Sequence, residues 1–145
     1  MKYEFTDDCL THIDEIDAEH RRLFQMLNEA IMLANETNDV APIANNLVAG
    51  LIDYAATHFA HEEAYMERTN DPELSLQKSQ HAAFTTKVNS FALDTASEDA
   101  ARASLHELLN YLGHWLLNHI LCSDTMIGKM PPVEAKTNDP FAFTD

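Results

Sequence analysis

The chain has 145 residues, 46% of them hydrophobic, with only three glycines and two cysteines. That is enough sequence to bury one core of ordinary size, and so few glycines argue for long helices over strands joined by tight hairpins. A formal charge of −15, from 24 acidic against 9 basic residues, excludes nucleic acid and an anionic membrane as natural partners, because both demand clustered positive charge.

The first segment, "MKYEFTDDCL", lacks the apolar stretch of a secretory signal. It reads as an N-terminal arm of about fifteen residues, with Tyr3 and Phe5 free to pack on the helices. A first helix is predicted from Ile16 to Glu36, where Ile16, His20, Leu23, Leu27, Ile31 and Ala34 recur at helical spacing. "ETNDVAP" breaks it, with Asn38 or Asp39 as the next cap. A second helix, about Pro42 to Arg68, carries Val48, Leu51, Ala55, His58, Glu62 and Tyr65 on one stripe. In "TNDPE", Asp71 caps a third helix that starts at Pro72 and runs to Leu93, with Gln77, His81, Phe84, Val88 and Phe91 inward. Ser97 then caps a fourth, Glu98 to Gly128, with Leu105, Leu108, Leu112, Leu116 and His119 on its stripe. Its apolar run "WLLNHILC" is interrupted by Asn118 and His119 and is far too short to span a bilayer. Residues 131–145 are aperiodic and proline-bearing, hence a tail or linker after a domain of residues 1–130. Short connections between long helices predict an all-α, up-down-up-down antiparallel four-helix bundle with an N-terminal arm. Cys9 and Cys122 give no disulfide framework and fit a reducing cytoplasm.

Each stripe carries one histidine: His20, His58, His81 and His119. A single such histidine is ordinarily just packed, but one per helix is a pattern. Glu62 lies four residues after His58 on the same face, and an ionised glutamate in a bundle core costs several kcal/mol unless paired or metal-bound. His119 and Asp124 are five apart, about 140° on an ideal helix. Both reach one site only if the helix distorts, and a π-bulge near Leu121 to Ser123 would do it. Imidazoles and carboxylates converging in a bundle core suit iron, manganese or zinc. Cys122, one turn after His119, reads as a small core residue rather than a ligand. His12, His61, His106 and His114 read as surface residues or as neighbours of the ligands.

The segments "HIDEIDAEHRRLF", "HFAHEEAYM", "DPELSLQKSQHAAF" and "HWLLNHILCSD" together resemble the hemerythrins, the bacterial ones in particular, over about residues 5 to 128. The resemblance implies two iron ions in an oxo- or hydroxo-bridged di-iron centre. His20 and His58 would bind one iron, His81 and His119 the other, and Glu62 and Asp124 would bridge them. The family's third histidine on the second iron corresponds to Gln77, and Pro72, five residues earlier, keeps the register. An amide oxygen is a poorer donor to iron than imidazole. Gln77 can ligate through it, hydrogen-bond a water in the vacant position, or leave the iron five-coordinate, and the water is the favoured reading. Leu116 would line the ligand cavity, with Phe84 and Ile16 excluding water. The resemblance implies binding of O2 or another small diatomic ligand, and a role as an oxygen or redox sensor regulating a signalling output, such as a diguanylate cyclase, beyond the tail. The alternatives are an enzyme acting on peroxide or nitric oxide, an oxygen storage or carrier protein, and a bundle without a native metal.

Overall fold

The computed structural model describes residues 2–129 and 131 of the chain. Four long helices account for most of them: α1, Asp14–Glu36; α2, Ala49–Arg68; α3, Leu74–Asn89; and α4, Glu98–Cys122. Helix α1 packs against α2 and α4, and α2 against α3, giving the expected four-helix bundle. No strand occurs among the described residues, and no described helix is long and apolar enough to cross a membrane. The tail expected at 131–145 lies outside the described residues apart from Pro131.

Local chemistry fixes the helix ends. Ser97 Oγ accepts from the Ala100 amide at the start of α4, satisfying one of the four amides that a helix start leaves free. At the other end of α1, the Arg102 guanidinium reaches from α4 to the carbonyls of Ala34 and Thr37. The N-terminal arm is tied to α1 by Asp17, whose buried carboxylate accepts from the Thr11 amide, the Thr11 hydroxyl and the His12 amide at 2.8–3.1 Å. Farther out, Asn28 brackets the backbone of Tyr3 with two hydrogen bonds, and the buried Tyr3 ring lies on Gly113, where a Cβ would collide with it.

The helix boundaries depart from the periodic reading in four places. Helix α2 is preceded by a π-helical stretch at Ile43–Val48, so the wide turns come at its start. Helix α3 begins at Leu74, because Asp71 and Pro72 form a turn in which Asp71 Oδ1 accepts from the Glu73 amide. It ends at Asn89, and Phe91 and Leu93 continue to pack on the core from non-helical chain. Helix α4 stops at Cys122 rather than Gly128, followed by a 3-10 turn at Asp124–Met126. The expected π-bulge at Leu121 to Ser123 is absent, and Cys122, expected in the core, is exposed at the helix end.

The core is divided. A large apolar cluster contains Leu23, Leu27, Leu51, Phe59, Phe84, Leu105, Leu112 and Leu116, and a small one contains Ile16, Met66 and Ile127. Several buried polar residues fall between the two along the chain, while His58 and His119 stand at the edge of the large cluster, beside Phe59 and Ile120. His20 lies between Ile16 and Leu23, Glu62 between Phe59 and Met66, and Gln77 and His81 between Leu74 and Phe84. Asp124 likewise lies between Ile120 and Ile127. A polar layer is thus sealed from water on both sides by hydrocarbon.

Candidate metal centre

Six side chains meet in this layer. His20, His58, Glu62, His81, His119 and Asp124 are all at most 7% exposed. Their donor atoms form two overlapping groups, His20, His58, Glu62 and Asp124 in one, and Glu62, His81, His119 and Asp124 in the other, with the atoms of each within 4.8 Å of one another. The two carboxylates belong to both groups, so the arrangement has room for two cations sharing Glu62 and Asp124. Asp124 gets there because α4 ends: Ser123 turns the chain with ψ of −55° and φ of −114°, and the 3-10 turn swings Asp124 back under His119, Oδ1 to Nε2 3.1 Å. Helix termination accomplishes what the sequence reading assigned to a bulge.

The contacts are those of ligand atoms around a cation. Glu62 Oε1 lies 3.2 Å from His58 Nε2 and 3.3 Å from His81 Nε2, yet it is in hydrogen-bonding geometry with neither and is completely buried. The Nε2 atoms of His81 and His119 face one another at 3.2 Å. A buried carboxylate oxygen without a donor, and imidazole nitrogens aimed at each other, are costly among neutral partners. Both costs vanish if lone pairs converge on a metal, and an imidazole and carboxylate set fits iron, manganese or zinc.

The histidines and carboxylates of the layer also shift one another's titration. Burial opposes a charge on His20, but hydrogen bonds to Asp124 and Glu62 outweigh it and push its pKa up to about 9. Burial likewise opposes ionisation of Glu62, and the imidazoles of His20, His58 and His81 clustered around it hold its carboxyl well below the usual range. For His81, burial is again outweighed, by Glu62 and Glu63, and its pKa is raised.

The back of the site is carboxylate too. Glu19 Oε1 takes His58 Nδ1 at 3.1 Å and its Oε2 takes the exposed His61 at 2.7 Å. Glu63 Oε2 takes His81 Nδ1 at 2.9 Å. Such partners fix the ring and tautomer so that Nε2 points at the centre. On the second group's side, His81 stacks on Phe59 at 4.0 Å between centroids, and His119 on Trp115 at 4.5 Å. Glu19, Glu63, Phe59 and Trp115 were not identified from sequence. Glu19 and Glu63 directly neighbour His20 and Glu62, and that adjacency was the available signal. Leu116 and Phe84 are buried in the large cluster, whereas Ile16 belongs to the small one on the opposite side.

Gln77 completes the layer. It is 1% exposed, its Nε2 donates to Asp124 Oδ1 at 2.9 Å, and its carbonyl oxygen has no partner. Asp71 steadies this end of the bundle, its Oδ2 accepting from the Gly128 amide at 3.0 Å while Oδ1 takes the Glu73 amide.

Residues 11–130 match the family described as "Hemerythrin HHE cation binding domain". The chain is 34% identical over 119 residues to a bacteriohemerythrin of Stenotrophomonas maltophilia, covering 81% of this chain and 74% of that protein. It is 32% identical over 124 residues to a bacteriohemerythrin of Clostridium acetobutylicum, covering 84% and 95%. To a myohemerythrin of Riftia pachyptila it is 30% identical over 118 residues, covering 81% and 84%.

Proposed function

Because the chain belongs to the hemerythrin family, di-iron proteins that bind oxygen, we propose that this domain binds oxygen at two irons, of which one keeps an extra exchangeable position, and that it serves as an oxygen or redox sensor. The observation that carries this reading is Gln77. Its amide hydrogens are directed at Asp124 and its carbonyl oxygen is unpartnered, which supports a side chain that steadies the bridging carboxylate rather than one that ligates.

In this reading His20 and His58 would hold one metal and His81 and His119 the other, with Glu62 and Asp124 available to both. Bound iron would supply the electrons for reversible oxygen chemistry. The protein's part is positional. Glu19 and Glu63 keep His58 and His81 presenting Nε2, while Gln77 restrains Asp124. Leu116, Phe84 and Phe59 shut water out on one side, Ile16, Met66 and Ile127 on the other. An extra exchangeable position beside Gln77 would suit a responder more than a carrier. Residues 131–145 would then link the domain of residues 1–130 to a signalling output such as a diguanylate cyclase, in the cytoplasm.

Anaerobic reduction of the iron-loaded protein followed by oxygen tests this. Rapid oxidation coupled to a conformational change, read by limited proteolysis of the two oxidation states, is the expected result. A long-lived oxygenated form in identically protected states would favour a carrier. Sustained consumption of peroxide or nitric oxide would instead establish an enzyme.

A further inference from the structure

Beside the position of Gln77 the surface is not closed. A cavity of about 210 Å³ lies between the first turns of α3 and the end of α4, lined by Glu73, Leu76 and Gln77 on one side and Cys122, Ser123 and Met126 on the other. At a share of about 30 Å³ per water it holds a few small molecules. Gln77 is its inner boundary, since the same side chain lines the cavity and touches Asp124. The outer wall is built where α4 ends and the 3-10 turn begins, and besides the Gln77–Asp124 bond it is tied to α3 by the hydrogen bond from Ser123 Oγ to Gln80 Oε1.

We propose that this cavity is a second entrance to the metal site, gated by the Gln77 side chain and taking water and other small uncharged molecules able to donate a hydrogen bond. This rests on the reading that Gln77 leaves a coordination position exchangeable. The selectivity follows from the lining. Gln77 offers a carbonyl oxygen that lacks a donor, so a protic molecule displacing the amide from Asp124 gains an acceptor on arrival. Glu73 stands at the cavity and the chain carries a net charge of −15, which disfavours anions. The gate is lightly held, by one side-chain hydrogen bond to Asp124. Closing is equally simple, because return of the amide to Asp124 reseals a residue that is 1% exposed.

Cys122 supplies the test. It is exposed and lines the cavity, while Cys9 is buried, so benzyl methanethiosulfonate on the folded, manganese-loaded protein converts the Cys122 thiol to a mixed disulfide, with release of methanesulfinate, and obstructs the passage. The readout is relaxation of bulk water protons by bound manganese at measured, equal metal content. The part of the enhancement that Gln77→His removes is the signal from the exchangeable position. Loss of that same part on labelling, with recovery after reduction by a phosphine, is the expected result. If labelling leaves it intact, the cavity is not the route, although the exchangeable position stands. If Gln77→His removes nothing, the exchangeable position itself is wrong and the entrance falls with it.

Discussion

Gln77 and Asp124, forty-seven residues apart in sequence, are joined by a buried hydrogen bond of 2.9 Å in which the amide donates to the carboxylate. In the proposed reading the glutamine stands where a third imidazole would complete the second metal, and its amide directs a donor at the Asp124 carboxylate. Gln77→His is expected to fill the position, slow autoxidation and lengthen the life of the oxygenated protein. Rapid-mixing absorbance after oxygen addition measures this, and an oxygenated form that decays faster than in the parent protein counts against the vacancy.

Glu19 and Glu63 bind the rear nitrogens of His58 and His81. Replacing either by glutamine keeps the shape and removes the charge that orients the imidazole. Metal affinity should fall about 10- to 100-fold, the usual cost of losing such a partner, with helix content unchanged. Competition against a chromophoric chelator gives the number, and Glu19→Gln should weaken one metal more than the other.

The metal-free protein should be pH-sensitive in a defined direction. The folded pKa of His20, about 9, lies above its ordinary value of 6.5. The stability it contributes, on the order of 3 kcal/mol from that difference, is therefore complete below about pH 6.5 and is lost as pH rises through about 9. Glu62 acts oppositely, since its lowered pKa gives stability present above the ordinary carboxylate range and lost as pH falls. Urea melts across this range should show a decline on the alkaline side. Metal must displace the His20 proton, so binding should release protons and tighten as pH rises.

At the far side of α4, Gly113 accommodates the Tyr3 ring. Gly113→Ala should dislodge the arm and cost about 1–3 kcal/mol, typical of overpacking, despite alanine's better helix propensity. Combining it with Tyr3→Ala should cost less than the sum of the two, because the collision needs both groups. Additive costs in denaturant melts would show that the arm does not depend on this contact.

Much of the bundle was legible because helical periodicity survives in all four stripes and Ser97 caps α4 where the sequence places it. The convergence of His20, His58, Glu62, His81 and His119 follows from the same phase. Asp124 was harder, since its position depends on α4 ending at Cys122, and an end without proline or glycine leaves little trace in a pattern of apolar residues. Cys122 was misplaced for the same reason. Glu19 and Glu63 escaped notice because a stripe tells which face a residue occupies, not which ring on the neighbouring helix it meets. The division of the core, with Ile16 on the side opposite Phe84, is likewise a property of height along the bundle, to which periodicity is blind.

Two metals sharing Glu62 and Asp124 is the central claim, and the metal content and absorbance of the iron-loaded, oxidised protein test it together. Two irons per chain with the charge-transfer bands of an oxo-bridged pair is the expected result, falling to one iron or fewer in Glu62→Ala. Well under two irons in a correctly folded parent protein, with no such bands, would contradict it.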